Sequence, residues 1–331
     1  MRPTRYRGLF LILILAVFVS GGLPASAQPV CRPCVAGIVL DGPWVRNDEL
    51  RGLIEEEVLD LLGDDFQLSF PAATRQIGDW SLGGARQAVD ALLADPDVDI
   101  VLTLGPVASA YVSRRASLPK PVVAAFVVEP EVQGVPLVVS DAEERVSGVP
   151  NLSYVTFSSD LEQSVRRLRE ITPFRRLTFL MSASLAEAVP ELEENLLSSA
   201  RPLDIDPHIV RVGSSLEQAI EGIPADTDAV YVFPLIQLPD GELQELIVAL
   251  RDRRLPAFSF WGRSEVELRL LASIFADEAF DRLGRRIALN LQRILLGEDA
   301  GTLPVDFERR VRLSLNVETA RAIGVYPSWS V

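Results

Sequence analysis

One histidine, two cysteines and two methionines are all that this chain of 331 residues holds of those three types. His208 stands alone, at the start of an apolar segment after Asp206-Pro207, so histidine-based metal binding and imidazole acid–base chemistry have no home. It reads as a partly exposed structural residue. With only Cys31 and Cys34 there is no disulfide framework, and a zinc site would need two further ligands. Positive charge is short as well. The 32 Lys and Arg stand against 46 Asp and Glu, and the formal charge of −14 opposes binding to nucleic acid and to anionic membrane surfaces. Catalytic motifs are missing: no G-x-S-x-G, no H-E-x-x-H, no Walker loop, and no G-x-G-x-x-G after the first strand. Carboxylates are plentiful, but those of Glu55-Glu56-Glu57 and of Glu191 to Glu194 read as solvated helix faces. No cofactor and no enzymatic activity are expected; the pattern suits binding better than catalysis.

Long apolar runs are confined to the N-terminus. Arg2, Arg5 and Arg7 form a positive segment, Leu9 to Val19 is almost unbroken apolar sequence, and Ala25-Ser26-Ala27 supplies small residues for a leader peptidase. A core of about 11 residues falls short of the ~20 that span a bilayer. Residues 1–27 are therefore expected to be a cleaved signal peptide that delivers the chain to the periplasm. An uncleaved anchor is the rival reading. Lipidation at Cys31 is another, with Val30 and Gln28 at the positions that matter for it. Loss of three arginines with the leader would take the charge to about −17. The tail 28–34 ends in Cys31-Arg-Pro-Cys34, ahead of the first strand. A redox motif needs a strand before it and a helix beneath it, so a local disulfide between Cys31 and Cys34 is the expectation in an oxidising compartment.

Beyond the tail, apolar β-rich runs alternate with helical patterns. Val35–Leu40, Phe66–Phe70, Ile100–Leu104 and Pro121–Val128 read as strands, with helices at about 47–62, 82–93 and 108–115. Pro121–Val128 is apolar on both faces, the mark of a parallel sheet covered by helices on both sides. The rhythm breaks between Glu129 and Asn151 and then resumes through strands at 177–181, 208–212, 229–233 and 257–261. A short strand at 270–275, a helix at 278–296, a strand at 311–315 and a helix at 317–323 are too few to build a core alone. The expected fold class is α/β, with two doubly wound Rossmann-like lobes joined by a multi-strand hinge. The first lobe is expected at 35–146 plus about 266–298, the second at 147–265 plus about 299–331.

Doubly wound sheets bind ligands beyond the carboxyl ends of their strands, where helix N-termini present free N–H groups. The strand-end loops contain Asp41, Trp44, Ser109 and Glu129 in the first lobe, and Ser182, Ser184, Gln237, Trp261 and Arg263 in the second; Asp277 follows the strand at 270–275. These are the candidate ligand-binding residues, with Trp44 or Trp261 stacking on a solute and Arg263 pairing with a carboxylate. Each loop could equally be a plain connector in its lobe.

Four stretches carry a resemblance. They are Val98-Asp99-Ile100-Val101-Leu102-Thr103-Leu104-Gly105-Pro106-Val107-Ala108 with Pro121–Ala125; Ser147-Gly148-Val149; Phe275 to Arg285 with its Leu283-Gly284-Arg285; and Leu313 to Val325, with Asn316, Thr319-Ala320 and Ile323-Gly324. With them the chain resembles bacterial ABC-transporter substrate-binding proteins of the tryptophan/tyrosine-binding type, over nearly all of its mature length. The resemblance implies the type I periplasmic-binding-protein fold, a small-molecule solute (an amino acid or other small carboxylate), an ABC permease in the inner membrane as partner, and a monomer. The alternative is an accessory or sensory protein-interaction subunit of an envelope complex built on the same fold. The chain departs from the family pattern at Gly105-Pro106, which delays the first hydroxyl to Ser109, at Pro234-Leu235-Ile236-Gln237, which lacks an acidic residue, and at Phe258-Ser259-Phe260-Trp261.

Overall fold

The computed structural model describes residues 33–44, 46–63, 66–128, 130–156, 161–213, 215–275, 279–306 and 311–327. The expected leader, Cys31, Glu129 and Asp277 lie outside them.

The first sheet grows from β1 (Cys34–Leu40), whose side chains are buried almost throughout. A strand apolar on both faces must be covered on both faces, and the helices between strands do this. After β1 come α1 (Asn47–Leu62), the short β2 (Leu68–Ser69) and β3 (Arg75–Ile77), α2 (Leu82–Ala94), β4 (Ile100–Thr103), α3 (Pro106–Ser113) and β5 (Val122–Val127). Both β2 and β3 pair with β1, at its start and its end, so they share one edge. The region where the apolar rhythm breaks contains α4 (Pro130–Gln133) and a hairpin of β6 (Val138–Val139) and β7 (Arg145–Val146). Then β8 (Leu152–Thr156) pairs with β5, giving the order β2-β1-β4-β5-β8, parallel throughout.

The second sheet repeats the plan. It comprises α5 (Leu161–Ile171), β9 (Arg176–Ser182), α6 (Ala183–Ala188), α7 (Leu192–Ala200), β10 (Asp206–Val212), α8 (Leu216–Glu221), β11 (Ala229–Val232), α9 (Asp240–Asp252), β12 (Ala257–Ser259), α10 (Arg263–Glu267) and β13 (Ala272–Phe275). After α11 (Ala279–Leu295), β14 (Val311–Leu315) closes the edge antiparallel to β13, and α12 (Val317–Ile323) is the last element. The order is β10-β9-β11-β12-β13-β14. Two doubly wound α/β sheets are therefore present, as the alternation of apolar runs predicts.

Sheet membership moves the lobe boundaries. Leu152–Thr156, which the expected division at 147 gives to the second lobe, is the fifth strand of the first sheet. Its five residues are too short a run to stand out between a turn-rich region and a helix. Conversely, β13 lies in the second sheet although the expected first lobe includes 266–298. Only α11 returns. Asn290 donates to the Ser153 hydroxyl (2.9 Å) and the Pro304 carbonyl (3.1 Å), and Arg285 pairs with Glu57 of α1 at 2.9 Å. Residues 299–306 follow it: Thr156 N–H donates to Val305 O and Gly148 N–H to Gly301 O. The chain thus changes sheet after Thr156, after Phe275 and after Asp306. Residues 183–200 form two helices, α6 and α7, parted at Val189-Pro190, because proline cannot donate into a helix interior.

Asn290 is fully buried and ties α11 to Ser153 of the first sheet and to the Pro304 carbonyl. Asn290→Ala is expected to lower unfolding free energy by about 2 kcal/mol, since it strands a buried hydroxyl and a buried carbonyl; urea denaturation checks this.

Candidate functional site

The strand order turns back between β1 and β4 in the first lobe and between β9 and β11 in the second. These are the switch points at which doubly wound sheets open a crevice. At the first, β1 ends in Asp41, and β4 leads through Gly105 and Pro106 into α3. Proline at the first helical position leaves no wasted N–H there. The next two N–H groups, of Val107 and Ala108, donate to Asp41 Oδ2 and Oδ1, each at 2.8 Å. Asp41 is only 3% exposed. Burial pushes its carboxyl up to about 6, against the downward pull of the two backbone donors. Gly105 is required beside it, because a Cβ there would stand 2.1 Å from the carboxyl carbon.

Ser109 lies one turn into α3 and is fully buried. Its hydroxyl shares a hydrogen bond with that of Thr103 (2.8 Å) and accepts from Phe126 N–H (3.3 Å), so it ties α3 to β4 and β5 instead of facing a crevice. Behind Asp41, Trp80 adopts a left-handed backbone (φ 68°) and donates its N–H to the Asp41 carbonyl at 2.9 Å. Its indole lies on Gly42, where a Cβ would come within 2.3 Å of the ring.

The second lobe offers an aromatic wall. Phe233 lies 5.4 Å from both Tyr231 and Phe260, centroid to centroid, and the next residue, Trp261, leaves the sheet and enters the first lobe's territory. Its ring stacks on Phe126 at the end of β5 (6.0 Å, 22°) and meets Trp44 edge-on (6.3 Å, 75°). Beneath this loop Gly262 holds φ 113°, a region closed to side-chain-bearing residues, and donates to Ser259 Oγ at 3.0 Å. Ser259 in turn donates to Glu265 Oε2 at 2.5 Å. Glu265 is 5% exposed, and burial raises its carboxyl to about 7 despite that bond.

Between the two indoles and the start of α1 is a cavity of about 170 Å³, lined by Trp44, Arg46, Glu49, Leu50, Leu53 and Trp261. Arg46 sits 5.5 Å over the Trp44 ring and pairs with Glu49 at 2.9 Å, which holds the Glu49 carboxyl below its usual range. Other contacts also join the lobes. Ser184 Oγ donates to the Trp80 carbonyl, Asn195 Nδ2 donates to Val132 O (2.6 Å), and Arg114 pairs with Glu191 (2.8 Å).

Of the residues singled out in the sequence, Trp44 and Trp261 meet at the crevice, and Ser184 spans it. Ser182 is nearly buried at the end of β9. Gln237 donates to Val212 O at 3.1 Å within its own lobe. Arg263 is exposed and pairs with Glu267 at 2.8 Å, on a separate depression shared with Arg312 and Asn316. Glu129 and Asp277 are outside the described residues. Cys34 is buried at the head of β1 and disulfide-bonded, while Cys31 lies outside the described residues. His208 is exposed on the edge strand β10. Sequence reasoning missed Trp80, Phe126, Arg46, Glu49 and Glu265. Arg46 and Glu49 carried a signal, a charged pair three apart beside Trp44.

No protein-family model and no curated protein matches this sequence. Solved structures do match. A Streptococcus pneumonia protein described as an ABC domain in complex with L-Trp is similar at TM-score 0.69 and 18% identity, over 90% of this chain and 97% of that one. A Vibrio cholerae conserved domain protein follows at TM-score 0.66 and 19% identity, over 91% and 97%. The ligand-free, open form of a Clostridium difficile substrate-binding protein with adhesive properties matches at 0.53 and 14%, over 89% and 96%. A Bordetella pertussis protein described as periplasmic binding protein type 1 matches at 0.54 and 12%, over 86% and 100%. Likeness at this identity shows the fold, and the chain has that of the type I periplasmic binding proteins.

Both buried carboxyls have raised values, so the folded protein holds more protons than the unfolded chain between about pH 4 and 7. Their stabilising contribution is complete at the low end and is lost as pH rises through about 6 for Asp41 and about 7 for Glu265. Asp228, held down to about 2 by Arg176, acts oppositely and only in stronger acid. Unfolding free energy should therefore fall from about pH 4 to about pH 7, with Glu265 supplying on the order of 3 kcal/mol at most. Glu265→Gln keeps an acceptor for Ser259 without the charge, and denaturation at several pH values should show a flatter profile for it.

Proposed function

We propose that the chain is an exported solute-binding protein of an ABC-type uptake system, whose two lobes close on a small solute. The observation that carries this reading is the cavity walled by Trp44, Arg46 and Glu49 from one lobe and Trp261 from the other. A solute with an apolar body lying between the two indoles would touch both lobes when closed and only one when open. Such differential contact is what biases a two-lobed protein toward closure. The fold supports the reading, as do neighbours described as a substrate-binding protein and as an L-Trp complex. On this reading the signal peptide is removed near Ala27, Cys31 and Cys34 form a small disulfide, and the monomeric protein presents its closed form to an inner-membrane permease. Its role is binding, with no reaction catalysed.

A second reading rests on a specific observation. The seam is already fastened by Ser184, Asn195 and the Arg114–Glu191 pair, and Trp261 is 7% exposed. A chain that closes on its own side chains could instead be an accessory or sensory subunit that presents a fixed surface to an envelope complex. Co-purification with membranes in the absence of any bound solute would favour that role.

Thermal denaturation across a panel of small solutes tests the leading reading. A solute at roughly a hundredfold excess over its Kd should add about 3 kcal/mol of stability. Trp261→Ala and Trp44→Ala should each weaken binding by about tenfold or more while the protein stays folded. No stabilising solute in a broad panel would sink the reading.

A further inference from the structure

We propose that Asp41 is a specificity-determining residue of the first lobe: its carboxylate occupies the place at the head of α3 where a solute's anionic group would sit, so the solute meets that end of the crevice with an uncharged or cationic group. The proposal rests on the solute-binding reading and deepens it.

The head of α3 is where the fold would hold an anion. It follows β4 at the switch point, and its first free N–H groups point outward from the positive end of the helix. Here those groups already have a carboxylate, with both oxygens engaged, one by Val107 and one by Ala108, at 2.8 Å each. The carboxylate has nowhere to retreat. Gly105 presses on it from one side so closely that a Cβ would overlap it, and the Trp80 N–H pins its backbone from the other. A second carboxylate brought to this spot would find no donor and a like charge beside it, and each of those disfavours it.

Among the described residues, the neighbouring groups do not offer an alternative cradle. The Ser109 hydroxyl is turned inward to Thr103 and Phe126. Arg263 looks onto the depression it shares with Glu267 and Arg312. Arg46 is at the cavity, but its charge is matched by Glu49. What remains suits the opposite sign: indole faces attract cations, and the chain's formal charge of −14 raises the local concentration of cationic solutes. The indicated solute class is an amine or a neutral compound with an apolar body.

Matched pairs that differ only by a carboxylate test this: tryptophan against tryptamine, and leucine against isopentylamine, with affinities read by thermal shift and calorimetry on the full chain. The wild type is expected to prefer the amine of each pair. Asp41→Ala should move that preference toward the amino acid by about tenfold, as expected when one charged contact changes. Asp41→Asn removes the charge with little change of shape and should move it the same way should the alanine variant fail to fold. Formate is the second probe. It should raise the Tm of Asp41→Ala, by filling the vacated place, and leave the wild type unmoved. An amino-acid preference in the wild type that neither variant alters would overturn the proposal, and so would an equal effect of formate on wild type and variant. Should no member of either pair bind, the solute reading fails, and the formate comparison still decides whether Asp41 stands in for an anion.

Discussion

Trp261 is the residue on which the arrangement of the two lobes turns. It follows β12 of the second sheet and buries its indole against Phe126, at the carboxyl end of the first, with Trp44 edge-on beside it. An indole of that size removes on the order of 200 Å² from water, more than any polar contact along the seam can match. It can do so only because Gly262 takes up a backbone conformation that a side chain would forbid, and because the buried Ser259–Glu265 pair anchors the turn. Energy is lost by burying a carboxyl there, and the gain is a fixed angle for the ring. Anything that enters the crevice must share that ring or displace it.

Much of the architecture was legible in the sequence. Strands apolar on both faces announce parallel sheets, and helices with one apolar stripe must lie on them, so two doubly wound lobes follow from periodicity alone. The breaks in that legibility have definite physical causes. The fifth strand of the first sheet, Leu-Ser-Tyr-Val-Thr, is short and half polar in composition, yet all five residues are buried; Ser153 is buried because Asn290 from α11 satisfies its hydroxyl. That partner lies 137 residues away, beyond the reach of any local pattern. The lobe boundaries went astray for the same reason, since membership of a sheet is decided by long-range pairing.

The candidate site was legible in part. Of the residues singled out in the strand-end loops, Trp44 and Trp261 meet across the crevice. What could not be read was which polar groups were already engaged. Asp41, Ser109 and Gln237 have the composition of ligand contacts, but each has found a partner within its own lobe. A free polar group and a satisfied one look alike in a sequence. The difference lies in the register of neighbouring strands: β1 and β4 are paired so that Val39 faces Thr103, and that alignment delivers Asp41 to the head of α3.

The same logic separates fold from specificity. The type I architecture supplies two switch points, a crevice and helix heads, and it does so for any sequence that satisfies the alternation of apolar strands and helices. On the solute-binding reading, what enters the crevice is decided by a few side chains at the strand ends. In this chain those side chains act on the crevice by occupying it: a carboxylate at a helix head, an indole across the gap, a serine fastened to the opposite lobe. A buried carboxyl pushed up to about 6 by burial, as at Asp41, is costly to ionise near neutrality, and its two charge-assisted hydrogen bonds offset part of that cost. Stability alone gives weak grounds for keeping such a group where a solute would be expected to bind. On the solute-binding reading, its effect on what can bind beside it supplies a stronger one.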